Sequence, residues 1–286
     1  MEIIIGKNSG FCYGVTRAVN NAEKHAKKEK LNCLGEIVHN QNIIHKLEDL
    51  GIKFIKNIDE ADSTTIIRAH GEHKTVYKTA KERNIKLIDL TCPSVLKIHG
   101  IVRKFAKKNY FIIITGKENH PEVLGIKSYA EESCIIIGSV SELNKNLSEI
   151  LKKRNILLIS QTTFSLKEFK EIENILRINI NKNNNLVVKN TICVTTENKQ
   201  KETKEIAKSV NAMIIVGDKR SANTNELYNT ACKYCDNTQF VLNEKELDLK
   251  RIRKNYKIGI MAGASTPKED ILKIKNTLLK SDKIDL

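Results

Sequence analysis

No run of 18 apolar residues occurs in this 286-residue chain, tryptophan is absent, and aromatic residues make up only 5%. The first absence argues against a membrane-spanning helix of ordinary length. The start, MEIIIGKNSG, lacks the basic-then-apolar layout of a secretory signal. A soluble, globular, cytoplasmic protein without membrane association is expected. Arginine is scarce, nine of 49 basic residues, and the abundant lysine is scattered among isoleucine and asparagine. Nucleic-acid binders tend to gather basic residues on one stripe, with arginine or stacking aromatics alongside. Despite a net charge of +15, nucleic acid is therefore not expected as the primary partner. The charge suits steering of an anionic substrate or an acidic electron-donor protein. Neither Gly-x-Gly-x-x-Gly nor a Walker-type lysine loop is present, which removes the common nucleotide-binding motifs.

Seven cysteines are an odd number in a chain expected to work in a reducing compartment. A disulfide framework is not expected there, so a cysteine with a task is a metal ligand or a reactive thiol. The length suits two domains, or three small ones.

Apolar, β-branched runs alternate with amphipathic stretches. TTIIR (64–68), KLIDL (86–90), YFIIIT (110–115), NILLIS (155–160), AMIIVG (212–217) and KIGIM (257–261) read as strands. GVTRAVNNAEKHAKK and ENKQKETKEIAKSV read as helices between them. This alternation predicts α/β units with mainly parallel sheets.

Beneath it lies an internal repeat. Three times the chain runs from a cysteine through a helix of about four turns to a strand closed by glycine and a short polar loop. Cys12 leads to Gly35, Cys92 to Gly116 and Cys193 to Gly217, at separations of 23, 24 and 24 residues. Four positions beyond each glycine stands His39, His120 or Ser221. A later strand in each unit ends in a second polar loop: RAHG with His70, SQTT with Thr162, and AGAS with Ser265. The repeat divides the chain into three similar α/β domains, residues 10–91, 92–192 and 193–286, in a pseudo-threefold trefoil. Equivalent cysteines and loops would then converge on one axis, at the carboxyl ends of the strands where α/β sheets bind ligands.

Three thiolates on one axis suit a metal centre with one position left over. Separations of 80 and 101 residues are unlike a structural zinc site. A cubane cluster normally takes four cysteines, so three leave one iron open as a Lewis acid. Cys33 and Cys134 lie in strand-like runs and read as core. Cys232 and Cys235 form Cys-x-x-Cys near the end of a helix pattern, away from a helix start where a thiolate would be activated; a redox or zinc pair there is an open alternative.

The polar loops offer His39, His70, His120, Ser221, Asn223 and Ser265 at strand-to-helix turns, where helix N-termini favour anions. The set is light in arginine and lysine, so a polyanionic diphosphate would be recognised by neutral donors and protonatable histidines. His25, His45 and His99 fall within helix patterns and read as structural, while His73 is open. Glu122, next to Pro121 at a helix start, is either a first-turn carboxylate or a proton donor. Thr162 is either a helix cap or a group holding or relaying to a substrate hydroxyl.

Nine motifs, GFCYGV, GEIVHN, RAHG, DLTCP, NHPE, SQTT, ICVTT, SANTN and GAST, follow in order over residues 2–280. In that order they resemble the 4-hydroxy-3-methylbut-2-enyl diphosphate reductase family, the last enzyme of the methylerythritol phosphate route to isoprenoids. The resemblance implies an iron–sulfur oxidoreductase: a trefoil around a [4Fe–4S] cluster ligated by Cys12, Cys92 and Cys193, with the substrate hydroxyl on the open iron. Two electrons and two protons would release that hydroxyl as water and give isopentenyl or dimethylallyl diphosphate. Glu122 would donate the proton and Thr162 would help at the hydroxyl. His39, His70, His120, Ser221, Asn223 and Ser265 would hold the diphosphate. Ferredoxin or flavodoxin would bring the electrons, to a monomer or a homodimer. One departure is Ala222, where the family usually carries a second serine; its hydroxyl is lost while the main-chain N–H stays.

Two other readings predict different behaviour. A thiol oxidoreductase would depend on Cys232 and Cys235, and a basic RNA-binding protein would bind RNA with steep salt dependence and no metal.

Overall fold

The computed structural model describes residues 1–283; the last three residues of the segment 193–286 lie outside them. The described residues form twelve strands and ten α-helices. After β1 (Glu2–Ile5) come α1 (Tyr13–Ala26), β2 (Leu31–Leu34), α2 (Gln41–Asp49), β3 (Ile52–Ile55), β4 (Thr64–Ile67), α3 (Lys74–Glu82) and β5 (Leu87–Asp89). The chain continues through α4 (Pro93–Ala106), β6 (Phe111–Thr115), α5 (Pro121–Ala130), β7 (Cys134–Ile137), α6 (Val140–Leu151), β8 (Asn155–Ser160), α7 (Leu166–Asn179) and β9 (Asn185–Val188). It closes with α8 (Val194–Ala207), β10 (Ala212–Val216), α9 (Ala222–Cys232), β11 (Thr238–Val241), β12 (Lys257–Ala262) and α10 (Lys268–Lys283). Among the described residues no helix is long and apolar enough to cross a membrane.

The strands pair into three parallel four-stranded sheets, ordered β3-β2-β4-β5, β7-β6-β8-β9 and β11-β10-β12-β1. The expectation of an α/β fold with three similar domains is borne out. In each sheet the strand that follows the cysteine-led helix lies inside, flanked by the second and third strands of its unit, with a fourth beyond the third. The third sheet takes its fourth strand from the amino terminus: β1 pairs with β12 in parallel register, Glu2 against Lys257. Inner strands are mostly apolar because helices cover both faces; every residue of β10 is buried, whereas β1 and β9 begin on an exposed residue.

The repeat extends to single hydrogen bonds. Gly35, Gly116 and Gly217 each follow an inner strand and donate their N–H to the last carbonyl of the neighbouring strand: Ile55 at 2.8 Å, Ile137 at 3.1 Å and Val241 at 2.9 Å. The reversal of strand order falls between the first and third strands of each unit, so the loops leaving that pair diverge and open a crevice. The loops at these three switch points carry the histidines, serines and threonine singled out from the sequence.

By contacts the chain divides into two compact units, residues 1–16, 38–44 and 194–286 in one and residues 17–37 and 45–193 in the other. The first contains the β11-β10-β12-β1 sheet. Its core packs Ile214, Val216, Ile258 and Ile260 against Ile271, Ile274 and Leu278 of α10. The second contains the other two sheets. There Phe169, Ile172 and Leu176 of α7 bury against Ile113, Ile156 and Leu158 on one face of β6 and β8, and α4 and α5 cover the other.

Candidate active site

Cys12, Cys92 and Cys193 stand immediately before α1, α4 and α8, helices of 14 residues each. Their main-chain N–H groups are anchored alike. Cys12 donates to Ala264 O at 3.2 Å, Cys92 to Ala69 O at 3.0 Å and Cys193 to Thr162 O at 3.0 Å. Each acceptor lies in a second polar loop, AGAS, RAHG or SQTT. All three are half-buried and outside any disulfide among the described residues. Cys92 is the N-cap of α4 with Pro93 in the first turn, and its sulfur makes no capping bond. A helix N-terminus favours a thiolate, the form that ligates metal.

The other cysteines differ. Cys33 is buried in β2, where burial pushes its thiol up to about 12, as expected for core. Cys134 lies on β7 and is only half-buried, so the core reading fits it in part; burial raises its pKa too. Cys232 is the last residue of α9 and exposed, with Cys235 buried three residues on. The negative end of a helix dipole disfavours a thiolate there.

In the second unit the loops after β4, β6 and β8 hold four of the candidates. His120 caps α5: its Nδ1 accepts the N–H of Glu122 at 3.1 Å. The neutral ring therefore carries its proton on Nε2. The rings of His70 and His120 meet edge to face with centroids 5.3 Å apart. Glu122, the second residue of α5, is 1% exposed. Its Oε1 accepts the Thr162 N–H at 2.6 Å and its Oε2 the Thr162 hydroxyl at 2.7 Å. Burial pushes the carboxyl up to about 7, against the lowering effect of these two bonds. A carboxyl that titrates near neutrality beside a hydroxyl can give or take a proton. His73 caps α3 through Thr75, and His25, His45 and His99 lie within helices, as expected.

The first unit holds the remaining candidates. Ser221 caps α9, its Oγ accepting the Thr224 N–H at 3.3 Å. Asn223, the second residue of that helix, is 3% exposed, and its amide nitrogen and oxygen both lack a partner among the described residues. A buried amide without partners is costly unless a ligand supplies them. Ser265 donates its hydroxyl to His39 O at 3.1 Å. Ala222 is the first residue of α9, so its N–H is among the unsatisfied amides of the helix start. Two glycines make this loop close-packed: a Cβ on Gly263 would lie 2.0 Å from Thr224 Oγ1, and Gly217 has φ +147° with Thr266 Oγ1 2.8 Å from a built Cβ.

Sequence reasoning overlooked several charged residues here. Arg220 grips Asp218 with two donors, Nε to Oδ1 at 3.1 Å and Nη2 to Oδ2 at 2.7 Å, and reaches Gln41 at 3.3 Å. Burial of Asp218 works against its ionisation, but Arg220 and, more weakly, His39 hold its pKa below the usual value. The loop is thus not free of arginine, although Asp218 neutralises this one. Lys199 of α8 is 1% exposed, with its ammonium on the carbonyls of Asn8, of Gly10 at 2.8 Å and of Ala262 at 3.2 Å. Burial lowers its pKa to about 8, while the charges of Cys12 and Glu202 oppose the shift. The signal that could have revealed it is spacing: Thr196, Lys199, Gln200 and Thr203, all buried, form one helical stripe of polar residues.

Parallel sheets with polar loops at their switch points, thiols at helix starts and a buried carboxyl near neutrality define an α/β enzyme. The family described as LytB protein matches residues 3–279, and the chain belongs to that family. Among curated relatives, the 4-hydroxy-3-methylbut-2-enyl diphosphate reductase of Clostridioides difficile is 37% identical over 271 residues, covering 93% of this chain and 95% of the relative. That of Caldanaerobacter subterraneus subsp. tengcongensis is 37% identical over 288 residues, with 96% and 97% covered. The solved structure of the E-1-hydroxy-2-methyl-but-2-enyl-4-diphosphate reductase from Plasmodium falciparum has a TM-score of 0.88 at 30% identity, covering 96% of this chain and 87% of its own. A second solved structure, of (E)-4-hydroxy-3-methyl-but-2-enyl diphosphate reductase, the terminal enzyme of the non-mevalonate pathway, has a TM-score of 0.70 at 33% identity, with 98% and 99% covered. The resemblance read from the nine motifs is borne out.

Proposed function

We propose that this chain reductively dehydroxylates (E)-4-hydroxy-3-methylbut-2-enyl diphosphate to isopentenyl and dimethylallyl diphosphate, consuming two electrons and two protons and releasing water. Cys12, Cys92 and Cys193 would hold a [4Fe–4S] cluster among three domains, residues 10–91, 92–192 and 193–286. The observation that carries this reading is their equivalence: three cysteines outside any disulfide among the described residues, at three helix starts, each anchored through its N–H to a second polar loop. Three thiolates from equivalent places, with no fourth in the repeat, fit a cubane that keeps one iron for substrate. When bound, such a cluster supplies the electrons and a Lewis-acidic iron.

The protein's own residues supply the proton and hold the substrate. With its carboxyl at about 7, Glu122 is protonated in a large share of molecules at neutral pH. A proton on Oε2 is then donated to Thr162 Oγ, and the Thr162 hydroxyl hydrogen turns toward the substrate hydroxyl. Transfer along this pair leaves Glu122 ionised and the hydroxyl departing as water. Asn223 would bind the diphosphate with its unpartnered amide, together with Ser221, Ser265, His39, His70 and the Nε2–H of His120. Amides at the start of α9, Ala222 included, add donors for the anion. Electrons would come from ferredoxin or flavodoxin, small proteins toward which the net charge of +15 provides steering.

The test is anaerobic turnover. Protein loaded with iron and sulfide and given a strong reductant should consume the hydroxylated diphosphate and release both products. Fully loaded protein that leaves it unconsumed would contradict the assignment.

A further inference from the structure

The turns that deliver Cys12 and Cys92 are each held by charged side chains from a helix that begins at another cysteine. In the first unit, α8 starts beside Cys193 and reaches the loop between β1 and Cys12 with two residues one turn apart. Glu202 accepts the N–H of Lys7 at 2.6 Å, the N–H of Asn8 at 2.8 Å and the Asn8 side-chain amide at 2.9 Å. Lys199 donates to the carbonyls of Asn8 and Gly10 and to Ala262 O, next to the segment that anchors Cys12. The loop is thus gripped by an acceptor and a donor together, and Lys199 is buried while doing so. In the second unit, Arg17 of α1, five residues after Cys12, places Nη1 3.2 Å from both the Leu90 and Thr91 carbonyls, directly before Cys92.

The turn before Cys193 is held by a threonine hydroxyl. Thr191 donates its hydroxyl to Ser160 O at 2.6 Å and accepts the Ser160 N–H at 2.8 Å. On α4 the positions five and six beyond Cys92 are Lys97, which is exposed, and Ile98, which is buried. The difference provides an internal control.

We propose that Lys199 with Glu202, and separately Arg17, are positioning residues that fix the turns carrying Cys12 and Cys92, and that the Lys199 ammonium adds positive charge to the turn that carries Cys12. The effect of the charge on a cluster rests on the iron–sulfur reading; the grip on the turns does not. Cluster potentials respond to nearby charge and hydrogen bonds, so loss of the ammonium should favour the oxidised form.

The experiment is hydrogen exchange on anaerobically purified full-length protein, paired with measurement of its reduction potential. Lys199→Met and Glu202→Ala should each speed exchange over residues 7–12 about tenfold, the loss of roughly one charge-assisted bond. Lys199→Met should also move the potential to a more negative value, and Lys199→Arg should recover most of both. Arg17→Met should speed exchange over residues 87–92 and leave residues 7–12 slow, while Lys97→Met should change neither. Glu202 is only half-buried, so Glu202→Ala decides the matter if Lys199→Met fails to fold. Exchange over residues 7–12 as slow as in the wild type, or a potential unmoved in Lys199→Met, overturns the proposal. A wild-type protein without iron that still shows the exchange pattern would overturn the cluster reading and leave the grip standing.

Discussion

The starts of α5 and α9 occupy the same place in two copies of one repeat, yet they are built for different chemistry. Each opens with a capping residue that accepts a main-chain N–H, His120 in one and Ser221 in the other. Each then places a buried polar residue second in the helix, Glu122 or Asn223. Glu122 is fully engaged by Thr162, whereas Asn223 has no partner among the described residues. The same backbone therefore presents an engaged carboxyl in one copy and an unpartnered amide in the other. On the proposed function, what would distinguish a reacting carboxyl from a binding amide is the neighbouring loop: SQTT supplies a hydroxyl and an N–H to α5, and Gly217 and Gly263 leave the α9 start crowded by Thr224.

The largest effect should come from removing the proton. Glu122→Gln keeps both contacts to Thr162, and turnover should fall about a hundredfold to a thousandfold with iron content unchanged. In the wild type kcat should decline as pH rises through about 7, where Glu122 loses its proton. That limb should vanish from the residual activity of the variant. Next, Asn223→Ala should raise KM for the diphosphate about tenfold with little change in kcat, since one or two hydrogen bonds to an anion are lost. An equal fall in kcat would break the division between reacting and binding copies.

Stability gives a third comparison. The folded carboxyl of Glu122 is raised from 4.5 to about 7, so folding becomes less favourable as pH climbs through that window. Glu122→Gln should therefore melt with the wild type below pH 4.5 and higher above pH 7, by an amount on the order of 3 kcal/mol. Asn223→Leu, which removes a buried unpartnered amide, should stabilise the protein equally at all pH values. The smallest effect is expected from Ala222→Ser, which restores a hydroxyl at the first position of α9 and should lower KM about two- to tenfold.

The chemistry-bearing skeleton was readable because cysteine, histidine and glycine recur at fixed spacing. Cys12–Gly35, Cys92–Gly116 and Cys193–Gly217 marked three helices and three inner strands, and the polar loops fell at the switch points. The position of β1 was not readable: nothing in EIII indicates that it pairs with β12, some 250 residues away, because a parallel partner leaves no local signature. Charged residues in polar helices were hidden for a related reason. ENKQKETKEIAKSV looks solvated along its whole length, and only the fold shows that one face, with Lys199, is buried. Arg220 was passed over because its partner, Asp218, lies two residues away in a loop too short to carry a periodic signal.

The central claim is that three cysteines hold one inorganic centre, and anaerobic iron and sulfide analysis tests it most directly. The wild type should carry about four irons and four sulfides per chain. Cys12→Ser, Cys92→Ser and Cys193→Ser should each lose most of them, while Cys232→Ser with Cys235→Ser keeps the full complement. A folded, colourless, iron-free wild type, or full iron retained in all three single variants, would contradict it.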